Sequence, residues 1–300
     1  MNLRLASGIA LAALATPVAA VESALDPSFS FAPLVLNGSG GDAEIRADLG
    51  IKSKYVDQGI TLSNDVVLAG GIGGRIWGFG ALVSGGIALG EDSRDLWDTS
   101  FPDTIAVNVK LDWLGQVQWA DDIPLLTINP YFEYVSYPVQ PSNSPAFDNG
   151  ENDLKDRQRW LGLDLWFAPP IAGWEGIEFG GGMAYNTAVG VPMFRGGLGG
   201  RQLFAFEGFE LNAYQIANFG NRRYHQELVD PANLEDSHTQ GLTTVALGAE
   251  LLLPLPVKEW YITFGASANV WAADRDEVKD LGQNASEYVL GFGVEWHPGE

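Results

Sequence analysis

The chain contains no cysteine and only three histidines. Disulfides, thiolate metal sites and thiol nucleophiles are therefore excluded. Long hydrophobic runs are also missing. A helical membrane span needs about 20 apolar residues, and even Leu251 to Val257 is interrupted by Pro254 and Pro256. Basic residues are scarce: 17 Lys and Arg stand against 38 Asp and Glu, a formal net charge of −21. With no basic stripe to neutralise phosphates, the composition argues against nucleic acid as a partner.

Catalysis has little to work with. Of His225, His238 and His297, only His238 has a serine and acids beside it, in Glu235-Asp236-Ser237-His238. Neighbouring residues on a strand point to opposite faces, and a solvated loop gives no rigid site, so no enzyme is expected. Two acidic groups, Asp148, Glu151, Asp153 and Asp156, and Asp274, Asp276, Glu277 and Asp280, lack calcium-loop spacing. They read as outside loops that divalent ions can bridge to lipopolysaccharide, so neither a dedicated metal nor a cofactor is expected. Gly196 to Gly200 lacks the Lys-Ser/Thr of a phosphate-binding loop.

What the chain has is alternation. Ala43, Ile45, Ala47, Leu49, Ile51 and Tyr55 take the odd positions; Glu44, Arg46, Asp48, Lys52 and Lys54 fill the even ones. On a strand this turns one face to hydrocarbon and the other to water. A soluble sandwich puts the polar face outside, whereas an outer-membrane barrel puts it inside. The remainder of the chain favours the barrel.

The first 20 residues read as a secretory signal, with Arg4 ahead of the apolar Ile9 to Leu14 and small residues at Val18 and Ala20. Residues 21–42, with Pro27 and Pro33, read as a periplasmic lead-in, and 43–300 as an all-β, single antiparallel transmembrane barrel. Its twelve expected strands are Ala43–Tyr55, Val66–Ile76, Phe79–Leu89, Thr104–Gln118, Ile123–Tyr137 and Gln158–Phe167, then Ile177–Thr187, Arg201–Phe206, Phe209–Phe219, Gln240–Leu253, Glu259–Trp271 and Ala285–Trp296. Long loops follow the odd-numbered strands, the glycine-rich Val189 to Gly200 among them, and short turns follow the even-numbered ones. Short periplasmic turns with longer outside loops are the asymmetry of outer-membrane barrels. Aromatics flank each short turn: Trp77 with Phe79, Trp119, Phe167 with Trp174, Phe206 with Phe209, and Trp260 with Tyr261. Trp296 ends the last strand, and rings at one level form an interfacial girdle. The 10 tryptophans and 9 tyrosines suit such belts, and the 37 glycines suit a bent, crowded wall.

Ser53-Lys54-Tyr55-Val56-Asp57-Gln58-Gly59-Ile60 resembles the first-strand signature of the TorF-type porins, with the polar loop and glycine-containing hairpin Leu62 to Leu89 following it. The resemblance covers about 50 residues at the N-terminal end. Gln58 stands where that family often has a basic residue, and His297-Pro298-Gly299-Glu300 follow Trp296 where members usually end on an aromatic read by the barrel-assembly machinery. The resemblance implies a Gram-negative outer-membrane barrel with a channel role.

A charge on the lipid face costs about 2–4 kcal/mol at mid-membrane for Lys or Arg. The expected lumen-lining residues are thus Arg46, Lys52, Lys54, Arg75 and Lys110, with Glu44, Asp48, Asp112, Glu133, Asp164, Glu178, Glu210, Glu250, Glu287 and Glu295. These charges either pair to stabilise a wet lumen or, with acids in excess, give a weak preference for cations. The expected function is passive diffusion of small polar solutes or ions through a monomeric or weakly oligomeric barrel. A filled structural or adhesive barrel is the alternative, and a lipid-modifying barrel enzyme a more distant one.

Overall fold

A computed structural model describes residues 44–57, 60–63, 65–89, 103–119, 123–136, 157–169, 177–206, 209–222, 241–272 and 286–296. The stretches read above as signal segment and lead-in, the two acidic groups, Trp174, Ser237 and all three histidines lie outside these residues. The strands are β1 (Glu44–Lys52), β2 (Tyr55–Asp57), β3 (Ile60–Ser63), β4 (Val67–Ile76), β5 (Phe79–Ala88), β6 (Asp103–Trp113), β7 (Gly115–Trp119) and β8 (Ile123–Ser136). They continue as β9 (Arg157–Phe167), β10 (Ile177–Asn186), β11 (Val191–Phe206), β12 (Phe209–Gly220), β13 (Gly241–Pro254), β14 (Trp260–Trp271) and β15 (Ser286–Trp296).

β1 pairs with both β4 and β15, the other staves pair antiparallel with their neighbours along the chain, and β8 holds both β6 and β7, so the sheet closes on itself. β6 and β7 form one stave broken at Leu114, and the β2–β3 hairpin stands apart from the wall, which makes a closed 12-strand barrel. Closure removes every free edge, which a strand-built membrane span requires.

The alternation fixes which face is outside. Ile45, Leu49, Ile72, Val83, Leu161, Leu163, Leu165, Leu247, Phe264 and Leu290 are exposed on the exterior. Lys52, Arg75, Asp164, Glu178, Glu250, Glu287 and Glu295 are buried on the inner face. At the short-turn end Trp77, Phe79, Trp113, Phe167, Phe209 and Trp260 form an exposed ring, and Trp260 stacks on Trp296 at 6.4 Å.

Three expectations need correction. The glycine-rich stretch 189–200 is not a long loop: β11 begins at Val191, and residues 187–190 make a tight turn. The Asn186 side-chain oxygen accepts from Ala188 N at 3.0 Å, Gly190 N donates to Asn186 O at 2.8 Å, and Gly190 holds a positive φ of 73°. One connection at the long-loop end is therefore short, and the loop-length asymmetry is incomplete. The strand hides in sequence because glycines carry no side chain to alternate; Gly181 of β10 and Gly196 of β11 are register partners, wall against wall. Second, the first strand ends at Lys52. Ser53 and Lys54 bend the chain, and the family-like motif enters the β2–β3 hairpin.

Third, not all the aromatics expected at the membrane surface are there. Trp160, Trp166 and Trp271 are buried inside the barrel, and Tyr261, in register with inward Glu295, shares the inner face rather than the girdle.

Candidate functional site: the inner wall

A polar ladder crosses the staves from β4 to β11. Arg75 on β4 donates through Nη2 to both Asp112 oxygens at 2.9 and 2.7 Å, and through Nη1 to Gly78 O at 3.2 Å. Gly78 is placed for this by a two-residue turn in which Trp77 and Gly78 both have positive φ, of 51° and 83°, the backbone that matches hairpin twist. Asn129 on β8 donates to Asp112 at 3.1 Å. Two residues along β8, the Tyr131 hydroxyl accepts from Arg195 Nη2 at 2.6 Å.

Arg195 is the anchor of the ladder. It reaches from β11 over its register partner Gly182 on β10 to Asp164 on β9, with Nε at 3.0 Å from Oδ1 and Nη2 at 2.7 Å from Oδ2. This planar fork is the stronger geometry for an arginine–carboxylate pair. Asp164 is wholly buried and Arg195 nearly so. The Tyr131 ring carries Lys110 Nζ at 4.7 Å and the Arg195 guanidinium carbon at 5.2 Å, within cation–π range. Glu133, in register with Lys110, accepts from Asn108 Nδ2 at 2.5 Å.

Glycines make room for these side chains. A Cβ at Gly162 would collide with the Tyr131 ring, one at Gly182 with the Asp164 carboxylate, and one at Gly248 with the Tyr214 ring. Each such pair consists of register partners on adjacent staves. The large side chain therefore lies flat along the wall instead of projecting into the lumen. Glycine next to aromatic across strands is a stabilising arrangement in curved sheets.

The seam between β1 and β15 carries a second group. Lys54 Nζ bonds Glu287 at 2.5 Å. Asp48 stands directly opposite Glu295 in register, with Lys52 further along the same inner face.

Of the expected lumen residues, Asp48, Lys52, Arg75, Lys110, Asp112, Glu133, Asp164, Glu178, Glu210, Glu250, Glu287 and Glu295 stand at inward positions of their strands. Lys54 reaches Glu287 from the bend. The side chains of Glu44 and Arg46 lie outside the described residues. The structure joins Arg75 to Asp112 in one network and Lys110 to Tyr131 and Arg195 in another, with Lys54 and Glu287 on the seam. Sequence reasoning missed Arg195, Tyr131, Asn108 and Asn129. For Arg195 a signal existed: Val191, Met193 and Arg195 alternate with Phe194 and then Leu198.

No family model matches the chain, and no curated protein matches it. Among solved structures it is similar to KdgM porin, at 8% identity over 84% of this chain and 98% of that one, with a TM-score of 0.42. It is also similar to an outer membrane channel from Pseudomonas putida F1, at 9% identity over 88% and 100%, TM-score 0.48. A third is the beta domain of the Bordetella autotransporter BrkA, at 11% identity over 86% and 99%, TM-score 0.35.

Proposed function

We propose that this protein is a porin-like channel of a Gram-negative outer membrane, passing small polar solutes or ions by diffusion. The observation that carries the reading is the enclosure of hydrogen-bonded charges by a closed barrel whose exterior is apolar. An exterior of that kind is suited to acyl chains, and an inner wall of carboxylates and amines selects by field and width. Among the described inner residues acids outnumber bases, which favours a weak preference for cations. Lipopolysaccharide at the outside loops and the barrel-assembly machinery at the periplasmic side are the partners such a barrel needs.

The alternative, a filled structural or adhesive barrel, draws on one observation: Asp164, Trp160 and Lys52 are almost inaccessible to water inside the wall. Conductance of the refolded protein in planar bilayers separates the two. The channel reading expects discrete steps that shrink as the ions grow. A correctly folded barrel with no steps under any salt supports the filled reading.

A further inference from the structure

The inner face is not uniform along the barrel axis. Arg75, Asp112, Glu178, Glu210, Glu250 and Glu295 stand near the strand ends at the short turns. Toward the long-loop end the inner face turns apolar. Trp160, Trp271, Val191 and Met193 pack there in one buried cluster with Tyr131 and Ala184. Trp271 is the last residue of β14, and β13 and β12 stand between it and β11. The staves between offer Thr244, opposite Trp271, and Gly220, opposite Met193, so short side chains leave the indole room to reach the β11 cluster.

The other half of the circumference continues the pattern. Tyr55, from β2, is 1% exposed and lies against the inner glycine Gly86; Val67, on β4, is wholly buried. Polar groups at this level are short amides and hydroxyls (Asn186, Thr244, Asn269), the buried Lys52, the Lys54–Glu287 pair, whose charges neutralise one another, and Glu133, which stands opposite Trp160 and accepts from Asn108. Ions crossing such a collar would shed water among apolar side chains and carboxylates already held by Lys54 and Asn108, and apolar constrictions block conduction by dewetting.

We propose that this collar is the closed gate of the channel: the barrier to ions sits in the apolar layer at the loop end, and the charged ladder below it is a vestibule. The inference rests on the channel reading. Its test is planar-bilayer conductance of three refolded full-length proteins whose folding is checked by heat-modifiable electrophoretic mobility. They are the wild type, the double variant Trp160→Ala with Trp271→Ala, and the shape-conserving polar pair Val191→Thr with Met193→Gln.

The gate expects low conductance from the wild type and a rise of about tenfold in both variants, equivalent to about 1.4 kcal/mol of barrier. The polar pair removes no bulk and keeps the test alive if the tryptophan variant fails to fold. A wild type that conducts as well as the variants overturns the gate and leaves the channel standing. A rise confined to the truncated variant overturns the dewetting barrier in favour of a steric plug. Silence from all three folded proteins overturns the gate and the channel together.

Discussion

Tyr131 lies flat over Gly162, its register partner on β9, and from that position accepts a hydrogen bond from Arg195 at 2.6 Å. One missing side chain thus sets the position of the ring that carries two cations. Gly162→Ala should lift the ring and cost about 1–3 kcal/mol, as overpacking does. Gly196→Ala is the control: an added Cβ there meets only Gly180 O at 3.7 Å, so its effect should stay within about 0.5 kcal/mol. Urea unfolding in lipid vesicles measures both.

Arg195 and Asp164 form a buried fork. Removing the arginine alone, as Arg195→Met, leaves a buried carboxylate and should destabilise by about 3–5 kcal/mol. Pairing it with Asp164→Leu should recover most of that loss, because replacing a buried ion pair with apolar groups is often near neutral. The same unfolding assay reads both variants, and a double variant no better than the single one would place the cost elsewhere.

Ile72 sits in the middle of β4 on the exterior, in register with Ala47 and Val83. Ile72→Arg should therefore cost about 2–4 kcal/mol in a bilayer, whereas Trp77→Arg, at the short-turn end, should cost about 0–1. Equal costs at the two positions would mean that the exterior has no depth axis.

Lys110 contributes a positive charge above the Tyr131 ring. Lys110→Glu should move the reversal potential of a salt-gradient bilayer towards the cation value. The wild type's own preference should be weak, because Arg75 and Arg195 each hold a carboxylate. An unchanged reversal potential for Lys110→Glu would remove this residue from the ion path.

The barrel was legible where side chains alternate and opaque where they vanish. From Ala43 to Lys52 the two-residue period identifies both the strand and its polarity. From Val189 to Gly200 the same period sets Val191, Met193 and Arg195 against Phe194 and Leu198, but glycines interrupt it and the stretch reads as a loop. That error concealed Arg195, which joins Asp164 to Tyr131. The inner tryptophans were hidden differently. Trp160 and Trp271 lie in strands that sequence identifies well, yet an aromatic near a strand end suits a membrane belt as readily as a lumen cluster. Only the neighbouring charges and the counted register decide which way each ring turns. The Arg75–Asp112 pairing was invisible for another reason: it joins β4 to β6 across β5, a contact set by closure and stagger rather than by local pattern.

The absence of native cysteine permits the most direct test of inside-out polarity. Single cysteines placed in turn at 160–167 along β9 can each carry a nitroxide label in reconstituted vesicles, where collision with dissolved oxygen reports contact with acyl chains. The account predicts high oxygen accessibility at 161, 163, 165 and 167 and low accessibility at 160, 162, 164 and 166. A reversed alternation, or none, would contradict it.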